Sequence, residues 1–129
     1  MVTIDMGGTS SDVSIIPNGR ILTTDDTMVG DYKNATSIVD VRSIGAGGGS
    51  IASLDLRGIL CVGPASAGAD PGPACYGRGG DKPTVTDADV ILGYIPADYF
   101  LGGRLKLNTD LARQVIEKSI AQQLNIDVY

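Results

Sequence analysis

Residues 4–14 read Ile-Asp-Met-Gly-Gly-Thr-Ser-Ser-Asp-Val-Ser. The apolar residues before and after the glycine pair predict two strands joined by a tight turn, since glycine adopts backbone conformations that other residues avoid. Such a turn also exposes a row of backbone N–H groups, which can cradle a phosphate. The hydroxyls of Thr9 and Ser10 add two donors beside Gly7 and Gly8. This segment therefore predicts a strand, a phosphate-binding loop and a second strand.

Two acidic residues flank this loop. Asp5 ends the first predicted strand, and Asp12 lies directly before the second. Carboxylate oxygens suit Mg²⁺, which binds one or two carboxylates together with phosphate oxygens and keeps several waters. The pattern resembles a phosphate loop of the actin, sugar-kinase and heat-shock chaperone ATPases; the alternative is a β-hairpin whose glycines serve only the turn. The first interpretation makes Asp5 and Asp12 catalytic residues and Asp5 a metal ligand. Its cofactor-binding residues are those of the loop: Gly7, Gly8, Thr9 and Ser10.

The composition fits one domain and excludes several classes of function. The chain has 129 residues, of which 43% are hydrophobic, and a formal net charge of −5. An acidic chain is a poor binder of nucleic acid or of an anionic membrane, both of which attract basic surfaces. No apolar stretch approaches the roughly 20 residues of a membrane-spanning helix. The chain contains no histidine, which excludes a Ser–His–Asp triad and a histidine metal ligand.

The two cysteines, Cys61 and Cys75, have neither the spacing of a metal site nor the pattern of a disulfide framework. A reduced, cytoplasmic protein is therefore expected. Cys61 lies in an apolar strand and is predicted to be a core residue. Cys75 is either structural or a nucleophile, and a nucleophile needs a pKa depressed by a nearby base or cation. Arg78 is the only cation close to it in the sequence, and we favour the structural role.

The first third of the chain predicts mainly strands. Three of them, over residues 2–5, 13–16 and 21–23, suggest an antiparallel meander. Residues 25–34 are polar and are predicted to form a loop. The alternation over residues 37–44 is weak evidence for a further strand.

Helices are predicted toward the end of the chain. Thr86-Asp87-Ala88-Asp89 can cap a short helix through Leu92, and its two acids are more simply capping residues than a metal-binding or acid–base pair. Asn108 is expected to cap a last helix from about Asp110 to Leu124, whose apolar residues fall on one face. With a long irregular Gly/Pro-rich segment over residues 64–83, the chain predicts an α/β fold with an antiparallel or mixed sheet and a C-terminal helix.

A second glycine cluster, Gly45-Ala46-Gly47-Gly48-Gly49-Ser50, allows two interpretations. Consecutive N–H groups can form a second anion cradle, which makes Gly47, Gly48 and Gly49 cofactor-binding residues. The alternative is a hinge or a close crossing of two backbones. The residues themselves favour neither.

Four further blocks follow the first loop in order: Ile44–Ala52, Val62–Gly80, Thr84–Asp89 and Phe100–Gly103. The second of them contains Pro-Gly-Pro-Ala-Cys-Tyr-Gly, which is very specific. Over nearly its whole length the chain resembles the central region of the hydantoinase A and oxoprolinase family. That family includes ATP-dependent N-methylhydantoinases, 5-oxoprolinases and the ATP-using subunits of acetone-type carboxylases. The resemblance implies an actin-like ATPase fold with ribonuclease-H-like halves, and the use of ATP and Mg²⁺.

The resemblance further implies part of an ATP-dependent hydrolase that opens cyclic amides of the hydantoin or 5-oxoproline type. Family members carry an earlier phosphate loop and a later glycine-rich segment, so we expect residues 1–129 to be a single partial domain that is inactive on its own. The alternatives are a piece of the ATP-using subunit of a ketone carboxylase and a non-catalytic interaction domain. The expected partners are a cyclic amide, a hydantoinase B-type subunit and further copies of the chain in a homo-oligomer, with neither nucleic acid nor membrane.

Overall fold

The computed structural model of the protein describes residues 1–25, 27–34 and 36–128. Short strands fill the first half of the chain and helices the second. The strands are β1 (Val2–Met6), β2 (Ser11–Ile15), β3 (Thr23–Thr24), β4 (Thr27–Val29), β5 (Tyr32–Asn34), β6 (Ile38–Val39), β7 (Arg42–Ile44), β8 (Ser50–Leu54) and β9 (Leu60–Ser66). The helices are α1 (Val85–Ile91), α2 (Thr109–Ile116) and α3 (Gln122–Leu124), and a π-helical segment, Glu117–Ala121, joins the last two. Within the described ranges, no helix has the length and apolarity needed to cross a membrane.

β1, β2 and β7 form an antiparallel sheet with β2 in the centre. The register places Asp12 between Asp5 of β1 and Ser43 of β7. Since side chains alternate between the two faces of a strand, these polar residues share one face. The other face carries the exposed apolar side chains of Val2, Ile4, Met6, Ile15 and Ile44, together with Ser11, Val13 and Arg42. The sheet therefore presents both acids on one side and an uncovered apolar surface on the other.

The first two predicted strands are confirmed, but the predicted meander is wrong beyond them. The third strand of this sheet is β7, whereas β3 pairs with β6. The predicted loop over residues 25–34 is also wrong, because β4 and β5 form a hairpin there. Gly30, with a φ of 61°, lies in its turn, and strands of three residues each are too short to show an alternation that would reveal them. The weak strand over residues 37–44 is present as two short strands, β6 and β7.

The second half of the chain packs its helices against the β8–β9 hairpin. Both predicted helices are confirmed, and side chains cap them. Thr84 caps the N-terminus of α1, two residues before the expected cap at Thr86, and forms a capping box with Asp87. The Oδ1 atom of Asn108 accepts hydrogen bonds from two amides of the first turn of α2, both at 3.0 Å. The core between the helices consists of the buried side chains Cys75, Val90, Leu107 and Ala112, with the partly buried Tyr76 and Phe100 packed against them.

Candidate functional site

The loop between β1 and β2 presents an open row of backbone donors. It closes with a hydrogen bond of 2.8 Å from the Gly7 amide to the Ser10 carbonyl oxygen. None of the described residues accepts a hydrogen bond from the backbone amides of Gly8, Thr9 and Ser10. All three residues are exposed. Successive free N–H groups of this kind are the donors that an anion-binding loop requires.

Two hydrogen bonds from the second glycine cluster set the direction of these donors. The Gly48 amide donates to the Gly7 carbonyl oxygen at 2.9 Å, and the Gly49 amide donates to the Gly8 carbonyl oxygen at 2.6 Å. In a planar trans peptide the C=O and the following N–H point in opposite directions, and the peptides after Gly7 and Gly8 are trans. Because both carbonyls are held against the glycine cluster, the N–H groups of Gly8 and Thr9 point away from it.

The close approach of the two loops requires glycine at position 47. A Cβ atom built there would lie 2.5 Å from the Gly7 carbonyl oxygen and 2.7 Å from the Thr9 nitrogen. These contacts are closer than real Cβ atoms make, and backbone atoms cannot rotate away as a side chain can. A Cβ at Gly49 would similarly lie 2.8 Å from the Gly8 carbonyl oxygen. The two backbones therefore cross in contact.

This crossing also uses the donors of the second glycine cluster. The Gly47 amide donates to Ser50 Oγ at 2.8 Å, and the Ser50 amide donates to the Gly47 carbonyl oxygen at 2.9 Å. With the bonds of Gly48 and Gly49, each amide from position 47 to position 50 has a protein acceptor. The structure favours the interpretation as a close crossing over that as a second anion cradle. Contact of Gly47, Gly48 and Gly49 with a cofactor stays a prediction.

The two acids lie on β1 and β2, one residue pair away from the β1–β2 loop. Asp5 and Asp12 are cross-strand partners, so their side chains project from the same face. Like charges in this position destabilise a strand pair unless something compensates for them. The Ser43 hydroxyl donates a short hydrogen bond to Asp12 Oδ1, which leaves carboxylate oxygens of both acids available at an exposed surface. A hard cation prefers such a donor set, so the residues present fit Mg²⁺ held by one or two carboxylates and completed by water or phosphate.

The acids do not form a closed metal cage. Across the residues that the structure describes, no group of three or more His, Cys, Asp or Glu side chains is close enough to hold a metal ion. Mg²⁺ is commonly bound through only one or two carboxylates plus substrate phosphates. The assignment of Asp5 as metal ligand stays a prediction.

Cys75 is buried beside a carboxylate. Its side chain is fully buried, and Asp87 accepts hydrogen bonds from the amides of Cys75, at 2.8 Å, and of Ala74, at 3.3 Å. Burial, and secondly the charge of Asp87, raise the pKa of the Cys75 thiol. The nearby cation, Arg78, lies over the ring of Tyr76. A buried thiol with a raised pKa is a poor nucleophile, which supports the structural role.

Cys61 differs from its prediction as a core residue. It is exposed on β9, and both cysteines are free. It pairs with Ser53 across the β8–β9 hairpin, and Ser53 is exposed as well, so other elements do not cover this face of the hairpin. An apolar run does not reveal which face that is.

Of the acids in the predicted cap of α1, Asp87 has a larger role than the sequence indicated. Besides Ala74 and Cys75, the amide and the hydroxyl of Thr84 donate to its Oδ2 atom, at 2.9 and 2.8 Å. Its carboxylate thus fastens the 74–76 turn to the start of α1. Asp89 is partly buried, and this burial raises the pKa of its carboxyl. Sequence reasoning identified Asp87 as a cap through its position, but the turn it holds lies more than ten residues away.

The comparisons with known proteins agree with one another. The family model described as "Hydantoinase/oxoprolinase" matches residues 1–129. The chain is 48% identical to the caprolactamase subunit alpha of Pseudomonas jessenii, over 99% of this chain and 18% of the relative. It is 45% identical to the acetophenone carboxylase gamma subunit of Aromatoleum aromaticum, over 98% of this chain and 18% of the relative.

A solved structure shares the fold. The crystal structure of the ATP-dependent caprolactamase from Pseudomonas jessenii superposes with a TM-score of 0.80 at 47% identity, over 98% of this chain and 18% of that chain. The present chain thus spans about a fifth of the length of these relatives.

Proposed function

The chain belongs to the hydantoinase/oxoprolinase family, and we propose that it forms part of an ATP-dependent hydrolase that opens cyclic amides. The observation that carries this proposal is the β1–β2 loop, where three amides that have no acceptor among the described residues adjoin a pair of facing carboxylates. A solved relative is an ATP-dependent caprolactamase, and caprolactam is a cyclic amide. The loop is the part of this chain best suited to the nucleotide.

In this proposal the N–H groups of Gly8, Thr9 and Ser10 donate hydrogen bonds to the oxygens of a nucleotide phosphate. Donors fixed before binding need no reorganisation when negative charge arrives, and this makes them effective. Asp5 would hold Mg²⁺, with Asp12 opposite it across the two strands. When bound, ATP would supply the phosphoryl group that makes a ring amide easier for water to attack. The chain's own contribution is to orient the phosphate and to stabilise its charge.

An actin-like arrangement follows from the same proposal, with the β1–β2–β7 sheet as one wall of a nucleotide cleft. Because the chain spans 18% of the solved relative, we assign catalysis to a larger assembly and expect residues 1–129 by themselves to be inactive. The curated relatives are named as subunits, which supports a partner subunit of the hydantoinase B type. The two free cysteines are consistent with the reduced cytoplasm that we propose as the location.

A second candidate is a piece of the ATP-using subunit of a ketone carboxylase. The identity to the acetophenone carboxylase gamma subunit, 45%, is close to that with the caprolactamase subunit, 48%. Both candidates use the same loop and the same acids. They differ in what receives the phosphoryl group.

Titration of the ¹⁵N-labelled chain with Mg–ATP tests the proposed site. We expect the amide resonances of Gly8, Thr9 and Ser10 to shift, with weak affinity in the millimolar range, about −4 kcal/mol. Replacing Mg²⁺ by paramagnetic Mn²⁺ should broaden resonances around Asp5 and Asp12.

The variant Asp5→Asn should abolish this broadening, whereas the control Asp98→Asn, at an exposed acid outside the site, should retain it. Unchanged loop resonances at saturating Mg–ATP would refute the proposed site.

A further inference from the structure

Thr86 lies on α1, outside the loop, yet hydrogen bonds connect it to the candidate site. It is buried, with 6% of its surface exposed. Its amide and its hydroxyl both donate to the carbonyl oxygen of Gly48, each at 2.8 Å. A carbonyl oxygen has two lone pairs, and Thr86 occupies both.

Two peptide groups and the hydrogen bond between them connect Thr86 to the loop. The Gly48 carbonyl and the Gly49 amide belong to one trans peptide, so fixing the carbonyl on Thr86 directs the amide the opposite way. That amide donates to the Gly8 carbonyl oxygen at 2.6 Å. The Gly8 carbonyl shares its own peptide with the Thr9 amide, which consequently points outward. Hydrogen bonds in such a chain polarise one another, which strengthens the donor at its end.

Within the part of the chain that the structure describes, the Thr86 hydroxyl donates to Gly48 alone. Thr84 caps α1 and Asp87 completes its capping box, so the helix does not need a further cap. A Cβ atom at Gly48 would lie 2.8 Å from Thr86 Oγ1, which shows that the glycine leaves room for this hydroxyl.

We propose that Thr86 is a positioning residue that aims the Thr9 amide at the bound phosphate, through the peptide groups of Gly48 and Gly49. This inference rests on the proposed function of the β1–β2 loop. Among the residues that the structure describes, Thr86 donates its hydrogen bonds to Gly48 and not to that loop. It fixes the last link before the loop, the hydrogen bond from Gly49 to Gly8.

The test compares Thr86→Val, which removes the hydroxyl, with Thr86→Ser, which keeps it. Val90→Ala is the matched control, because Val90 is a buried residue of the same helix and belongs to the core cluster on the side of α2. Without ligand, amide hydrogen exchange of Gly49 should accelerate roughly fivefold to tenfold in Thr86→Val relative to Val90→Ala, as expected for the loss of one hydrogen bond. Thr86→Ser should restore slow exchange.

With Mg–ATP, the shift of the Thr9 amide should be reduced in Thr86→Val and recovered in Thr86→Ser, but retained in Val90→Ala. Equal Gly49 exchange in Thr86→Val and Val90→Ala would overturn the inference. A Thr9 amide that does not respond to Mg–ATP in the unmodified chain would refute the proposed function instead, and the exchange of Gly49 would still decide whether Thr86 holds the crossing.

If Thr86→Val does not fold, solvent exchange measured on the unmodified chain tests the inference. Slow solvent exchange of both the Thr86 hydroxyl proton and the Gly49 amide supports the inference. Fast exchange of either one overturns it.

Discussion

Replacing Gly47 by alanine should separate the two loops of the candidate site. The new Cβ would lie 2.5 Å from the Gly7 carbonyl oxygen and 2.7 Å from the Thr9 nitrogen, whereas ordinary contact begins near 3.4 Å. The backbones must therefore move apart by about 1 Å, because backbone atoms cannot rotate out of the way. The hydrogen bond from Gly48 to Gly7 is 2.9 Å long and that from Gly49 to Gly8 is 2.6 Å long. A separation of this size would stretch both beyond hydrogen-bond distance.

Each lost bond costs about 1 kcal/mol, and overpacking costs about 1–3 kcal/mol. We expect Gly47→Ala to lower the free energy of unfolding by about 3–5 kcal/mol in urea denaturation. Gly45→Ala is the matched control, since a Cβ at that position meets nothing within 4 Å, and its effect should stay within about 0.5 kcal/mol. If Gly47→Ala were as stable as Gly45→Ala, the described contact between the loops would be refuted.

Three further predictions follow from other parts of the molecule. Asp87→Ala leaves four buried donors on Ala74, Cys75 and Thr84 without their acceptor and should lower the free energy of unfolding by about 3 kcal/mol or more; an effect below that of the exposed control Asp98→Ala would contradict this role. Ellman's reagent at pH 8 should modify one thiol of the folded chain, that of Cys61, because the raised pKa of Cys75 keeps it protonated through and above neutral pH; two fast thiols would show the buried environment to be wrong. The exposed apolar face of the β1–β2–β7 sheet should cause association in light scattering that Ile4→Lys reduces and that Leu56→Lys, at an exposed residue outside this sheet, leaves unchanged; a concentration-independent monomer would count against an interface on that face.

The sequence predicted what depends on neighbouring residues. The β1–β2 hairpin follows from two apolar segments around Gly7-Gly8, and the cap at Asn108 follows from its place before an amphipathic helix. Both signals lie within a few residues of the element that they specify. The same holds for Asp87, whose part in a capping box is a local pattern.

The contacts that build the site join distant segments, and the sequence did not reveal them. Thr86 meets Gly48 across 38 residues, and Ser43 meets Asp12 across 31. Glycine at position 47 is compatible with an anion cradle and with a close crossing, and only the position of the Gly7 backbone distinguishes the two. Cys61 shows the same limit, because its exposure depends on which face of the β8–β9 hairpin is covered.

The central claim is that the amides of Gly8, Thr9 and Ser10 bind a phosphate beside Asp5. Crystals of the chain soaked with Mg²⁺ and phosphate test this most directly. We expect density for the anion within hydrogen-bond distance of these amides, about 2.7–3.2 Å, with the metal on the Asp5 side. An anion bound only elsewhere, against the 45–50 segment or at the start of a helix, would contradict the assignment of this loop.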